Sequence, residues 1–225
     1  MTVRTLAQID RDVWTLYRIA YAANRLAPKT LANPGYRSSM RDVQARVRAA
    51  DALAQRLLAR PGVAENEETP YAVSLLRGAV DRVLGSRGDL AALSEAAGRA
   101  ARHRPVAATG ELLHLADWAR ELAAPSNGRA AKPEELQRRL AELRSRAVAF
   151  GLTAEEAAGT AIVPRHAVTG AAHFQVLFTN AISRRGQVSV CFATEELADA
   201  AAVDYYPFNN TDVYRYSCKC RRFAA

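Results

Sequence analysis

Through most of the chain apolar residues recur every three or four positions; near residue 165 they begin to alternate with polar ones. A period of 3.6 marks an amphipathic helix and a period of 2 a strand with one buried face, so the polypeptide combines two kinds of architecture. Leu6, Ile9, Val13, Leu16, Tyr17, Ala20 and Ala23 predict a helix over 5–26. Thr5 and Gln8 are spaced for a capping box, and Pro28 with Asn33-Pro34-Gly35 ends the helix. Trp14 and Tyr21 fall beside that stripe; we assign them to a broad buried arc, with a protein-binding face as the alternative. A second helix, capped by Ser38 or Ser39 and running to about Arg60, buries Val43, Val47, Ala50, Ala54 and Leu57. Pro61-Gly62 stops it. A third helix covers 71–84, is broken by Gly85 and Gly88, and is followed by helices over 89–104 and 105–124. Arg99, Arg102, His103 and Arg104 complement the dipole at the end of the fourth. Pro133 starts a sixth helix that buries Leu136, Leu140, Leu143, Ala147 and Phe150. Its solvated face carries Glu134–Arg138, Glu135–Arg139 and Arg138–Glu142 at i,i+4. Gly151 closes it, and Thr153 with Glu156 fits a capping box for a short seventh.

Beyond Pro164, residues 173–178 and 187–192 read as two strands: Phe174, Val176 and Phe178 alternate, as do Val188, Val190 and Phe192. Arg184-Arg185-Gly186 lies in the hairpin loop between them. Thr194 caps a helix through Val203, with Glu195 and Glu196 in its first turn. A final strand over 213–220 places Tyr214, Tyr216, Cys218 and Cys220 on one face. The expected fold class is α+β: a mostly helical bundle over 1–164, then a small antiparallel sheet with one helix over 165–225. The second part is small for independent stability, so it is expected to pack on the bundle or on a second chain.

Composition changes this picture little. The 225 residues, 49% hydrophobic and 24% charged, suit a globular protein. The formal net charge is +8, from 28 arginines and three lysines against 23 acids. Residues 1–164 carry a net +6 and residues 165–225 a net +2. Arginine offers a planar fork for phosphate or carboxylate. A GC-rich genome also supplies arginine and alanine, and many of these arginines alternate with acids on helix faces, so composition alone assigns no partner. Three cysteines, all in the last 35 residues, make a poor disulfide framework. With no secretory h-region and no long apolar run, the expected location is cytoplasmic and no membrane partner is expected.

Arg185-Gly186-Gln187-Val188-Ser189-Val190-Cys191-Phe192 is similar to one stretch of the RNA recognition motif family. Arg185, Gly186, Val190 and Phe192 match; Gln187 and Ser189 stand where that family places its stacking aromatics. A complete module would need a further strand at 146–151, against the helical stripe there. A helix-turn-helix over 89–124 would place Glu111 near phosphate, which opposes DNA binding. His173, Cys191, Cys218 and Cys220 carry zinc-type donors, but their spacing lacks the Cys-x2–4-Cys knuckle. No nucleophile elbow, phosphate loop or dinucleotide fingerprint is present, so no catalytic residue, cofactor or metal is assigned.

These observations lead to one expectation: a non-enzymatic accessory protein that binds nucleic acid or a nucleoprotein complex through arginines. The candidate residues are Arg184, Arg185, Arg215, Lys219, Arg221 and Arg222 around the sheet, and Arg37, Arg41 and Arg48 on the second helix. Tyr214 and Tyr216 between the basic segments are core residues or stacking surfaces. The rival expectation is an adaptor or assembly subunit, with a protein partner or a second copy docking on the aromatic C-terminal sheet.

Overall fold

The computed structural model describes residues 4–32, 39–104, 107–124, 131–163, 174–179, 187–205 and 211–215. The architecture is α+β, mostly helical, with a small antiparallel sheet and one helix near the C-terminus. The chain separates into two compact units, Met1–Ala92 with Ala123–Leu136, and Leu93–Leu122 with Gln137–Ala225.

In the first unit, α1 spans Leu6–Ala32. The expected cap forms: Thr5 N donates to Gln8 Oε1 at 3.0 Å and Gln8 N to Thr5 Oγ1 at 3.3 Å. Pro28 does not end this helix, contrary to the sequence expectation. The φ of proline is itself helical, and its presence removes one hydrogen-bond donor. Asn33-Pro34-Gly35 lies outside the described residues. α2 (Met40–Leu58) starts at Ser39, whose Oγ accepts from Asp42 N at 3.2 Å, and α3 covers Thr69–Leu84. Leu16, Ala20 and Ala23 of α1 meet Ala54 and Leu57 of α2 and Ala72, Leu76 and Ala79 of α3 in one buried cluster. Five of its eight members are alanine, which lets the helix backbones approach closely.

A second cluster joins Met40, Val43 and Val47 to Val83 and to Ala92 of α4 (Ser86–His103). The buried Gln44 amide donates to Val83 O at 3.1 Å and to Asp89 Oδ1 at 3.0 Å, as a buried polar group must. Gly85 alone separates α3 from α4, and Gly88 lies in the first turn of α4 instead of preceding it. A Cβ at Gly85 would overlap the Asp81 carbonyl, and one at Gly88 the Val83 carbonyl. The two glycines thus permit a reversal tighter than the sequence pattern foretells. α3 starts at Thr69, with Pro70 in its first turn as its fixed φ suits, and buried Thr69 donates its hydroxyl to Val63 O at 2.6 Å.

Asp12 ties this unit together from a nearly buried position on α1. It accepts from Arg4 and, at 2.8 Å, from Arg60 just past α2. Burial pushes its carboxyl up, but the hydrogen bonds and charge of both guanidinium groups more than offset this and hold it below the usual carboxylate value.

In the second unit, Ser94 Oγ donates to Ala116 O at 2.6 Å, joining α4 to α5 (Thr109–Ala123). α5 begins later than the expected 105: its first helical bond runs from Leu112 N to Ala108 O. α6 (Pro133–Ala149) buries Leu136, Leu140, Leu143 and Ala147. It ends in a Schellman motif, with Gly151 at φ 102°, Gly151 N bonded to Val148 O and Leu152 N to Ala147 O. The strand at 146–151 that a complete RNA recognition motif would need is therefore helix and helix cap. Arg139 and Glu142 pair at 3.6 Å on the outer face of α6, at i,i+3. Thr153 and Glu156 form the expected capping box for α7 (Ala154–Ala157). Arg104, assigned from sequence to a helix dipole, instead donates to both oxygens of buried Glu156, at 2.8 and 3.3 Å, and to Gly151 O at 2.8 Å. Its guanidinium joins the end of α4 to the loop after α6.

β1 (Phe174–Thr179) is the central strand, between β2 (Gln187–Phe192) and β3 (Thr211–Arg215), with both pairings antiparallel. Val176 lies opposite Val190 on one side and Val213 on the other, so apolar positions share a face across the sheet. That register pairs Thr211 with Phe178, which is why β3 begins before the predicted 213. Positions 216–220 of the predicted strand lie outside the described residues. α8 (Glu195–Tyr205) packs on all three strands and buries Ala198 and Ala201, with Val176, Val190 and Phe192 buried in the sheet. Thr194 caps it through its Oγ1, which accepts from Leu197 N at 3.3 Å.

Two predictions follow from this packing. Gly88→Ala should destabilise by about 1–3 kcal/mol, since a backbone carbonyl must move. Gly78→Ala, in α3, would meet only the Arg82 guanidinium at 3.4 Å and should stabilise by about 0.5–1 kcal/mol in the same urea titration. Equal effects would contradict the tight reversal. Asp12 has a depressed folded-state pKa, so its contribution is present above the unfolded value of about 3.9 and is lost as pH falls through the folded one. Asp12→Asn should lower stability at pH 7 by about 1–2 kcal/mol, at the low end because Arg60 is half exposed. The gap from wild type should shrink in melts taken below pH ~4.

Candidate functional site

The buried stripe of α1 is narrow: Val13, Leu16, Ala20 and Ala23. Each residue advances about 100° around a helix, so Trp14 and Tyr21 lie well off that stripe. They do not belong to the core, contrary to the sequence assignment. Trp14 is 59% exposed and Tyr21 46%. Tyr17, half-buried against the cluster of Leu16 and Leu76, holds the rings together. Its ring stacks near-parallel on Trp14 at 5.7 Å, Tyr21 at 6.2 Å and Tyr71 of α3 at 6.1 Å. Tyr71 is itself 61% exposed. Four aromatic rings thus form one array across α1 and α3, rooted in the core at Tyr17 and open to solvent at the other three.

Arginines alternate with these rings. Arg11, Trp14, Arg18, Tyr21 and Arg25 succeed one another at steps of three and four residues and are all exposed. Arg25 lies over the Tyr21 ring, 5.8 Å from its centroid. No carboxylate is within ion-pair distance of Arg11, Arg18 or Arg25 among the described residues. Asp10 and Asp12 are the only acids of α1, and Asp12 is committed to Arg4 and Arg60. The signal for this face was present in the sequence as arginine recurring every seventh residue at 11, 18 and 25, with an aromatic between each pair.

Of the arginines proposed from sequence, Arg41 and Arg48 lie exposed on α2, seven residues apart and therefore on one face. Neither has an acid within ion-pair distance among the described residues, and exposed Arg46 beside them is likewise unpaired. Arg215 ends β3 opposite Phe174; its side chain is outside the described set. Arg37, Arg184, Arg185, Lys219, Arg221 and Arg222 lie outside the described residues, as do Tyr216, His173, Cys218 and Cys220. Cys191 is buried in β2. Among the described residues no three His, Cys, Asp or Glu side chains converge as a metal site would require.

Several arginines elsewhere are engaged in the fold, although Arg77 of α3 is exposed without an acid partner among the described residues. Arg87 donates to Ala124 O at 2.9 Å, and Arg120 bonds Asp117 at 2.8 Å. Arg146 lies over the rings of Trp118 and Phe150 and 3.9 Å from Glu111. Among the described residues, exposed Arg11, Arg18, Arg41, Arg46 and Arg48 differ from these in having no acid partner. Compared with family models, curated proteins and solved structures, the chain matches none. Among the described residues no helix is long and apolar enough to cross a membrane.

If the aromatic array is surface and not core, Trp14→Ser should cost no more than about 1.5 kcal/mol, the worth of its stacking on Tyr17. Leu16→Ala, two residues on and in the buried cluster, should cost about 2–5 kcal/mol in the same denaturant titration. Comparable losses would place Trp14 in the core.

Proposed function

We propose that this chain is a non-enzymatic accessory protein that binds nucleic acid, alone or within a nucleoprotein complex, through arginine-bearing helix faces. The supporting observation is the split among the arginines: Arg11, Arg18, Arg41, Arg46 and Arg48 are exposed without an acid partner, while Arg60, Arg104, Arg120 and Arg146 bond to the protein. An exposed guanidinium with no internal partner is available for phosphate, and it releases counterions when it engages. The net charge of +8 acts in the same direction by drawing polyanions to the surface. Arg184, Arg185, Arg215, Lys219, Arg221 and Arg222 belong to this reading as a second basic segment around the sheet, together with Arg37 near α2. The alternative, an adaptor docking a partner on its C-terminal sheet, rests on Tyr214 and Tyr216 and on no contact among the described side chains.

Salt titration of the full chain on labelled single- and double-stranded oligonucleotides tests the reading. Binding should weaken linearly in log–log form with salt. Arg41→Ala with Arg48→Ala should lower the slope by about 1.4–1.8 if both reach phosphate, whatever the base sequence. Arg184→Ala with Arg185→Ala, measured separately, reports on the C-terminal segment. Absence of binding to either form at low salt would refute the proposal.

A further inference from the structure

We propose that the aromatic array on α1 and α3 is a stacking platform for unpaired bases, so that the ligand class is single-stranded RNA or DNA. This deepens the nucleic-acid reading and rests on it. Phosphate contacts alone would favour the more densely charged duplex, whereas Trp14, Tyr17, Tyr21 and Tyr71 add a recognition element that a duplex cannot use. In a duplex each base face is covered by its neighbours; in a single strand it is free to lie on an aromatic ring.

Geometry and charge support this together. The rings are held within 23° of parallel around Tyr17, at 5.7–6.2 Å, so the surface is ordered before a ligand arrives. Trp14, Tyr21 and Tyr71 keep roughly half or more of their surface in water, an exposure that an unliganded aromatic cluster rarely shows without a role. Arg11, Arg18 and Arg25 alternate with the rings along α1, one every seven residues or about 10.5 Å along the axis. A strand laid along the helix would meet rings and guanidinium groups by turns, which is the composition of a surface that stacks bases and neutralises their backbone. A protein partner fits less well. The cores of protein interfaces are depleted in charge, and here three exposed arginines border the rings along α1, Arg25 lying over Tyr21.

The test uses the full chain, with oligo(U), oligo(dT) and a DNA duplex of equal length at low salt, followed by anisotropy and tryptophan emission. Single strands should bind at least about tenfold more tightly than the duplex, one or two stacked bases being sufficient for that ratio. Trp14 emission should be quenched by the single strands, the Trp14 component being the part of the change that disappears in Trp14→Phe. Trp14→Ala should weaken single-strand binding by about 5- to 100-fold while leaving the salt slope unchanged, because it removes a ring and no charge. Tyr71→Ala serves as a second variant, on a different helix, and should give a loss in the same direction. Arg11→Ala with Arg18→Ala should instead reduce the slope. Equal binding of duplex and single strand, with Trp14 emission unchanged and Trp14→Ala and Tyr71→Ala silent, would overturn the platform and leave the nucleic-acid reading standing. No binding to any oligonucleotide would overturn both. Quenching of Trp14 by polyglutamate and by no oligonucleotide would assign the face to an acidic protein.

Discussion

The structure of the first unit depends on how little of α1 is buried. Leu16, Ala20 and Ala23 face Ala54 and Leu57 on one side and Ala72, Leu76 and Ala79 on the other. Alanine at most of these positions brings the three helices close, and close helices need only a narrow apolar arc to seal the contact. Everything just outside that arc is left to solvent. Tyr17 reaches the edge of the core, and Trp14, Tyr21 and Tyr71 gather round it in water. The exposed aromatic face is therefore a consequence of the same packing that makes the bundle stable.

Arginine has two occupations in this chain. One set closes the fold: Arg4 and Arg60 hold Asp12, and Arg104 joins buried Glu156 to the Gly151 carbonyl. These pairs connect segments separated by as many as 52 positions, and they fix where helix ends and loops meet. The other set, exposed on α1 and α2, has no acid within ion-pair distance among the described residues. Among the described residues, arginine thus divides into side chains bonded within the fold and exposed ones without an acid partner, Arg77 of α3 included.

Much of this was legible in the sequence. The change of period located the sheet, and Ser39, Thr153 and Thr194 marked helix starts because a cap is a local interaction over three residues. Glycine was harder to interpret. Gly85 and Gly88 looked like breakers over several residues, but they allow a reversal whose tightness depends on the carbonyls of Asp81 and Val83. The aromatic face was misassigned for a related reason. Periodicity tells which side of α1 is apolar, but how far round the helix its neighbours reach is decided by residues on α2 and α3. The role of Arg104 was invisible from its surroundings, because Glu156 lies on another helix.

In the proposed binding mode the open faces of α1 and α3, not only the basic C-terminal segment, meet the ligand. The most direct measurement is photocrosslinking of the full chain to a 4-thiouridine oligonucleotide, with the modified peptides identified by mass spectrometry. Adducts are expected on the α1 peptides that contain Trp14, Tyr17 and Tyr21, and on the α3 peptide that contains Tyr71. Adducts confined to residues 184–222, with α1 and α3 unmodified, would contradict it.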